Sequence, residues 1–239
     1  ISGINIDNSG LFYPYSGFLN PQALCHAYTQ HDNISCLTNT EAINLNFANN
    51  IWQVQDSSGD IVQAPIVIIA NSHDSSSFQQ SKHYPLIQNF GQIDQYPSAK
   101  LNSSLNCVVC AKGYVLPANT NSQFIGGFTN TDEALAADTE NVAKRNLELT
   151  KFINTNLATE LKKCGLIKSR TGVRCSSPDY LPLVGPVENI EQCRDIYAEL
   201  SRNAKKNIPL NPAHQKGLFI NVAHGSHGLS STPIAAKYL

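Results

Sequence analysis

The sequence lacks several features that would assign it to a familiar class. Its 239 residues contain no Met and one Trp, and no apolar run approaches the roughly 18 residues of a membrane-spanning helix. Lys and Arg (17) nearly balance Asp and Glu (18), so the net charge of -1 gives no basic field for nucleic acid. No G-x-G-x-x-G fingerprint, lysine-containing phosphate loop or G-x-S-x-G nucleophile turn occurs. These absences exclude a membrane-spanning helix within these residues and a polyanion-binding surface that covers the whole chain.

The cysteine pattern indicates a reducing cellular compartment and does not indicate a metal or redox site. They are seven, scattered and odd in number, which favours the reducing cytoplasm over a disulfide framework. Cys107 and Cys110 form a single C-x-x-C in a segment that predicts a strand, where a spacing of three directs the thiols to opposite faces. His26 and His31 are five residues apart, which is not a helical metal-ligand spacing. We therefore expect structural cysteines and no metal site.

Local patterns predict the main elements of the chain. Asn20 is a candidate N-cap with Pro21 at the first helical position, and Ile66–Ala70 is an apolar run that predicts a buried strand. Alternating segments separated by turn residues predict an antiparallel sheet from residues 90–97, 107–118 and 122–130. An apolar stripe predicts one long helix over Asp138–Lys163, with Gly165 as its C-cap.

The C-terminal segment combines a strand, a glycine turn and a helix start. Leu218–Val222 is a short apolar run that predicts a strand buried on both faces. Gly225 and Gly228 permit a tight backbone path, and Ser230–Thr232 are N-cap candidates ahead of Pro233. Free amide groups and the positive end of a helix dipole would meet at this turn, so the segment predicts a site for a negatively charged group.

Five segments in this order carry a family resemblance: SGLFYPYSGFLNP, FGQI, GYVLPA, TGVRCSSPDYLPLVG and HGSHGLSSTP. They resemble the FAD-dependent amine oxidases related to glycine and D-amino-acid oxidase. More narrowly, they resemble the oxidoreductase domain of the bifunctional enzymes that make 5-methylaminomethyl-2-thiouridine in tRNA. The family's opening strand and G-x-G-x-x-G turn would precede Ile1, so we expect a fragment of a longer protein rather than a protein with impaired FAD binding.

The resemblance implies an α/β (α+β) fold with two lobes. An incomplete Rossmann-like FAD-binding lobe would accompany an antiparallel-sheet substrate lobe of the D-amino-acid-oxidase type. On this basis, residues 1–80 hold part of the FAD-binding lobe and the start of the substrate lobe. Residues 81–180 hold the antiparallel sheet with its long helix, and residues 181–239 return to the FAD-binding lobe.

The resemblance also implies a reaction and its partners. The family member uses FAD to remove a carboxymethyl group from a modified wobble uridine of tRNA, which leaves a primary aminomethyl group. A separate methyltransferase domain of the same polypeptide then methylates that amine. We accordingly expect an FAD-dependent enzyme that acts on a CH–NH group of tRNA, in the cytoplasm and without a membrane partner.

The matching positions supply the candidate site residues. Arg174 would grip a substrate carboxylate, with a salt bridge to Asp179 as the structural alternative. Tyr114 and Gln92 would border the flavin or the substrate cavity, although a strand tyrosine is more often a core residue. The residues expected to contact the cofactor are Ala42, Ala70, Asn71, Gly225, Ser226, His227, Gly228 and Leu229.

Two other functions stay open from the sequence. A free-standing FAD-dependent oxidase of glycine, sarcosine or a similar small amine would share the glycine turn and the arginine. A non-catalytic remnant or binding module would explain the missing nucleotide fingerprint. The basic clusters are few, and solvated helix faces explain Lys144-Arg145 and Lys162-Lys163 more simply than RNA contact does.

Overall fold

A computed structural model describes residues 1–6 and 9–239 of the chain. The described residues form two compact units, each assembled from two separate stretches of sequence. The first unit contains Ile1–Asp32 and Asn89–Val173, and the second contains Asn33–Gln88 and Arg174–Leu239. Each unit has its own hydrophobic core. The assignment of residues 1–80, 81–180 and 181–239 to particular lobes stays a prediction.

The fold is mixed α/β, as predicted, and antiparallel pairing predominates. The strands are β1 Ala42–Ala48, β2 Ile51–Asp56, β3 Ile61–Ala64, β4 Val67–Ile69, β5 Ile87–Pro97, β6 Val109–Cys110, β7 Tyr114–Val115, β8 Ser122–Asn130, β9 Lys168–Ser176, β10 Leu183–Glu188 and β11 His214–Val222. The α-helices are α1 Pro21–Thr29, α2 Glu133–Ala137, α3 Thr139–Thr150, α4 Thr155–Cys164, α5 Ile190–Ile196 and α6 Gly228–Ala235. Short 3₁₀ turns lie at Ser72–Ser77, Ala198–Ser201 and Gly225–His227. The helix start predicted at Asn20 and Pro21 is confirmed by α1.

The first unit is built on a five-stranded sheet with the strand order β6-β7-β8-β5-β9. Buried and partly buried residues alternate along β5, so one face of the sheet turns inward. Ile153 of the α3–α4 connection and Leu157 and Leu161 of α4 pack there with Tyr96 and Ile125 in one apolar cluster. The antiparallel sheet predicted for this part of the chain is confirmed.

The prediction of one long helix over Asp138–Lys163 is wrong, because the chain forms two helices, α3 and α4. Asn154 interrupts the helix with an extended backbone (φ -160, ψ 119), and its side chain accepts a hydrogen bond from Leu157 N at 2.7 Å. This bond caps α4, so the asparagine starts a new helix where the apolar stripe suggested continuity. The predicted C-cap Gly165 is confirmed, with φ +80 and its N–H donated to Leu161 O at 3.2 Å.

The continuous strand predicted through Cys107 and Cys110 is also wrong. The backbone turns back as a hairpin between β6 and β7, and Ala111 N donates to Gly113 O at 2.7 Å. All seven cysteines have free thiols. Within residues 1–6 and 9–239, no group of His, Cys, Asp or Glu side chains is arranged to hold a metal ion. No helix in that part of the chain is both long and apolar enough to cross a membrane.

The second unit holds two three-stranded sheets around one core. One sheet has the order β1-β2-β3, and in the other β11 lies antiparallel to β10 and parallel to β4. Leu218, Ile220 and Val222 of β11 are 0–2% exposed and face this core. The buried Trp52 of β2 donates its indole N–H to Lys216 O at 2.9 Å. This bond ties the two sheets to each other.

The apolar runs that form β4 and β11 were predicted to be buried, and in the structure each is buried on one face only. In Ile66–Ala70, Ile66 and Ile68 are 58% and 50% exposed. In Leu218–Val222, Phe219 is partly exposed. β4 is an edge strand of the described sheet, so its outer face has no cover there.

Candidate functional site

The C-terminal turn joins β11 to α6 through two residues with positive φ. Ala223 has φ +64 and Gly225 has φ +55, a backbone region that favours glycine. A 3₁₀ turn over Gly225–His227 then leads directly into α6. The predicted order of strand, glycine turn and helix is therefore confirmed.

The predicted start of that helix is wrong. α6 begins at Gly228, so Ser230–Thr232 lie inside its first turns and Pro233 lies inside the helix. The hydroxyls of Ser230 and Ser231 donate back to His227 O at 2.9 and 2.8 Å instead of accepting from the helix amides. A serine hydroxyl can satisfy either geometry, and here the carbonyl of the preceding turn is the partner.

No side chain caps the N-terminus of α6 in the described structure. The first amide groups of a helix have no partner within the helix, and the helix dipole is positive at this end. Ser226, His227 and Leu229 are exposed at this turn, while Gly225 and Gly228 are partly buried. The turn can therefore accept a negatively charged or electron-rich group.

The space around Gly228 fits such a group. Its φ of -53 is helical, so its backbone does not require glycine. A Cβ on Gly228 would meet only the Cβ of His224 at 3.7 Å, and a Cβ on Gly225 would meet only that of Ser176 at 3.7 Å. Both are ordinary contacts, so packing within the chain does not exclude a side chain at either position. The absent side chain leaves room at the helix N-terminus for a flat ring to approach the backbone.

His224 holds the turn between β11 and α6, a role that the sequence did not reveal. Its Nδ1 lies 2.8 Å from Ser231 Oγ and its Nε2 lies 2.7 Å from Asn221 Oδ1. A neutral imidazole donates from only one ring nitrogen, either to the Ser231 hydroxyl or to the Asn221 side-chain oxygen. Burial lowers the pKa of His224, which favours the neutral ring. The signal for this role is a histidine between a strand and a helix, with an amide side chain three residues before it and a hydroxyl seven residues after it.

Arg174 lies near the end of β9 without an ion-pair partner among residues 1–6 and 9–239. The alternative partner Asp179 instead accepts hydrogen bonds from Ser177 Oγ at 2.7 Å and Leu181 N at 3.1 Å. The bond from Ser177 is the main cause of a lowered Asp179 pKa. The half-buried guanidinium of Arg174 is therefore available to an external carboxylate.

The end of β9 reaches the glycine turn. Ser176 and His224 form an antiparallel β-bridge, and the Ser176 Cβ lies 3.7 Å from the position of a Cβ on Gly225. Side chains two residues apart on a strand share a face, so Arg174 points to the same side of β9 as Ser176. Two residues of strand span about 7 Å. The Arg174 guanidinium and the N-terminus of α6, which have no ion-pair partner and no side-chain cap among residues 1–6 and 9–239, thus belong to one region of the second unit.

Ala70 and Asn71 reach the same region through the sheet. β4 runs parallel to β11 with Ile69 opposite Ile220, so the exposed residues after β4 lie beside the end of β11. The carboxyl ends of parallel strands form the edge at which α/β proteins bind ligands. Ala42 lies elsewhere, at the start of β1, where the pairing with β2 is irregular. Its contact with the cofactor stays a prediction.

Gln92 and Tyr114 belong to the first unit. Gln92 on β5 is 3% exposed, and its Nε2 donates to Asp94 Oδ1 at 2.6 Å and to Thr139 O at 3.0 Å. Its amide is therefore engaged within the chain. Tyr114 on β7 is partly buried, and a Cβ on Gly126 would lie 2.5 Å from its hydroxyl oxygen. Glycine at position 126 makes room for that hydroxyl, and the catalytic roles of both residues stay predictions.

The sequence did not reveal the polar network around Asp94. This fully buried carboxylate accepts hydrogen bonds from Gln92, from Asn146 Nδ2 at 2.7 Å and from Ser169 Oγ at 2.6 Å. Asn146 in turn accepts from Phe128 N at 2.9 Å. The network ties β5, β8, β9 and α3 together inside the first unit. Asn146 and Ser169 lie 52 and 75 residues from Asp94 in the sequence, so no local signal pointed to the network.

Comparisons with known proteins agree with this geometry. Residues 4–239 match the family described as FAD dependent oxidoreductase. The chain is 34% identical over its whole length to the tRNA 5-methylaminomethyl-2-thiouridine biosynthesis bifunctional protein MnmC of Stutzerimonas stutzeri, of which it covers 37%. It is 36% identical to the protein of that name from Pseudomonas syringae pv. tomato, again with 100% of this chain and 37% of the relative covered. The chain thus spans 37% of the length of these curated relatives.

A solved structure shows the same fold. Glycine oxidase from Geobacillus kaustophilus superimposes with a TM-score of 0.58 at 15% identity, over 83% of this chain and 46% of that one. At this identity the likeness concerns the fold alone. The match of residues 4–239 to the family model carries more weight than this likeness. The N-terminus of α6 has space beside Gly225 and Gly228, which is compatible with a flavin ring. The chain belongs to the FAD dependent oxidoreductase family, whose cofactor is FAD.

Proposed function

We propose that this chain, with FAD, oxidatively removes the carboxymethyl group from 5-carboxymethylaminomethyl(-2-thio)uridine at the wobble position of tRNA. The product would be 5-aminomethyl uridine, the substrate of a later methylation. Support comes from the curated relatives, which align with the whole chain and are named for the synthesis of this type of modified uridine. The observation that carries the chemical part is the guanidinium of Arg174, which forms no ion pair among the described residues and lies on a strand that meets the glycine turn.

The proposed reaction balances as an amine oxidation followed by hydrolysis. The glycine-like carbon of the carboxymethyl group loses a hydride and the adjacent nitrogen loses a proton, so that a C=N bond forms. Water then adds to that carbon, the C–N bond breaks, and the products are the primary amine and glyoxylate. Bound FAD supplies the two-electron acceptor for the first step.

Arg174 would hold the substrate carboxylate. A guanidinium offers two parallel N–H donors to a carboxylate, and a hydrogen bond to a charged group contributes about 1.5–3 kcal/mol. The larger effect would be orientation, because the carbon that loses hydride is directly bonded to the carboxylate. Arg174 needs no release from a protein partner before it binds, since it forms no ion pair in the described structure.

The glycine turn would hold the electron-rich edge of the flavin ring. Amide groups at an uncapped helix N-terminus stabilise negative charge that develops during hydride transfer. The contacts of His224 with Asn221 and Ser231 would hold the turn that carries these amides. The proposed cofactor contacts are Gly225, Ser226, His227, Gly228 and Leu229 at the turn, Ala70 and Asn71 after β4, and Ala42 on β1.

The proposed partners are tRNA and a methyltransferase domain of the same polypeptide. The relatives are called bifunctional, and this chain covers 37% of their length. A second activity would therefore reside in the remainder of such a protein. Tyr114 and Gln92 are proposed to border the substrate cavity.

The test uses a full-length protein that contains this chain, purified with FAD. Hypomodified tRNA that carries the carboxymethylaminomethyl group is incubated with it, and the nucleosides and glyoxylate are quantified by mass spectrometry. We expect equal amounts of glyoxylate and aminomethyl nucleoside. Strong turnover of sarcosine without conversion of tRNA would indicate a small-amine oxidase, and a protein without bound flavin would indicate a non-catalytic module.

A further inference from the structure

A cationic stretch runs from the end of α4 into β9. Between Leu161 and Pro178 the sequence has five cationic side chains and no carboxylate, although the whole chain has a net charge of -1. The cations are Lys162, Lys163, Lys168, Arg170 and Arg174. Such a local excess of one sign is a candidate contact for a polyanion.

Strand β9 orders two of these cations on one face. It is an edge strand of the five-stranded sheet. The side chains of Ser169 and Thr171 donate to Asp94 and Gln92 of β5, so they point to the inner face. Because side chains alternate along a strand, Lys168 and Arg170 point to the opposite face, and both are exposed.

The spacing of these charges suits a linear polyanion. Two residues of strand place Lys168 and Arg170 about 7 Å apart along β9. Neither has an ion-pair partner in the described part of the chain. Arg174 follows Arg170 by four residues on the same strand. A phosphate backbone bound along the first residues of β9 would therefore meet two cations in succession.

Two simpler explanations account for part of the stretch. Lys162 and Lys163 occupy the last turn of α4, where cations stabilise the negative end of a helix dipole. Charged side chains on an edge strand also prevent sheet-to-sheet aggregation. The helix-dipole explanation does not apply to the cations of β9. Protection of the sheet edge explains why β9 carries charge, but it does not involve a binding partner.

We propose that Lys168 and Arg170 bind consecutive phosphates of a single-stranded RNA segment, such as the loop that carries a wobble nucleotide. The inference takes its RNA substrate from the proposed function. It adds which residues hold the backbone. A modified base must leave its stack to reach a catalytic site, and phosphate contacts would hold the loop while the base is extruded.

The test compares two double variants in the full-length, FAD-loaded protein. K168Q/R170Q removes one Lys and one Arg from β9, and R202Q/K205Q removes one of each from an exposed segment elsewhere. Binding of unmodified tRNA is measured by fluorescence anisotropy at several salt concentrations. A charge-retaining variant, K168R/R170K, separates charge from side-chain identity.

For K168Q/R170Q we expect the slope of log affinity against log salt to become shallower by about 1.4, or 0.7 per lost phosphate contact of single-stranded RNA. The affinity at physiological salt should fall roughly tenfold. R202Q/K205Q and K168R/R170K should keep the parent slope. Oxidation of a small carboxylated amine should be equal in all four proteins.

An unchanged slope for K168Q/R170Q would overturn the inference, and so would an equal loss in R202Q/K205Q. If K168Q/R170Q aggregates while its soluble fraction binds RNA with the parent slope, the β9 cations protect the edge and the inference is wrong. The binding assay does not depend on turnover. RNA binding through β9 without nucleoside conversion would therefore refute the proposed function and leave this inference standing.

Discussion

Replacement of Arg174 by glutamine tests the substrate contact most specifically. The guanidinium is half-buried and has no ion-pair partner in the described structure, whereas Asp179 is occupied by Ser177 and Leu181. The variant should therefore lose a contact to substrate without losing one within the protein. A charge-assisted hydrogen bond of about 1.5–3 kcal/mol corresponds to a loss of roughly 10- to 150-fold in kcat/KM.

The assay measures kcat/KM for a carboxylated secondary amine, alongside thermal unfolding and bound flavin. The free energy of unfolding should stay within about 0.5 kcal/mol of the parent, since the change breaks no described interaction. R202Q serves as a matched control because Arg202 is exposed and lies in another segment. A large loss of stability with unchanged kcat/KM would refute the reasoning and assign Arg174 a structural role.

Three further predictions follow from single residues. Gly228→Ala should raise the stability of the flavin-free protein by up to about 1 kcal/mol, because position 228 is helical and has room for a Cβ. The same variant should bind FAD more weakly in a fluorescence titration, and an unchanged FAD affinity would exclude ring contact at the turn. His224 has a folded-state pKa below its usual 6.5, so its contribution to stability is present above pH 6.5 and is lost as pH falls through the lower folded value. Thermal unfolding measured from pH 6.5 downward should show a smaller loss of stability in His224→Gln than in the parent. An equal loss of stability in both proteins would contradict a neutral His224 ring. Asp94→Ala should cost about 3–5 kcal/mol in chemical denaturation, because three buried donors lose their acceptor, and a loss below about 1 kcal/mol would show that the network is dispensable.

The parts of the fold that the sequence predicted well depend on local signals. The end of β11, the glycine turn and a following helix could be predicted because an apolar run stops at glycines over a few residues. The start of α6 could not, because the hydroxyls of Ser230 and Ser231 fit either a cap or a bond back to His227 O. Likewise α3 ended at Thr150 and Asn154 capped α4 inside an unbroken apolar stripe.

Three features of the structure were not predicted from the sequence. The buried network around Asp94 joins residues 52 and 75 positions away in sequence, Asn146 and Ser169. Arg174 forms no ion pair with Asp179 because the turn after β9 directs the Asp179 carboxylate to Ser177. The function of His224 depends on a helix that folds back over the strand end. The Asp94 network arises from tertiary packing, and the other two depend on which of several local partners a side chain takes, which periodicity does not encode.

The central claim is that a flavin at the glycine turn oxidises an amine whose carboxylate Arg174 holds, within tRNA. The most direct measurement mixes the FAD-loaded full-length protein with hypomodified tRNA in the absence of oxygen and follows the visible flavin absorbance. We predict that the visible flavin absorbance bleaches within a single turnover, and that this bleaching is much slower in Arg174→Gln. Flavin that stays oxidised with this tRNA, yet is reduced by sarcosine, would contradict the account.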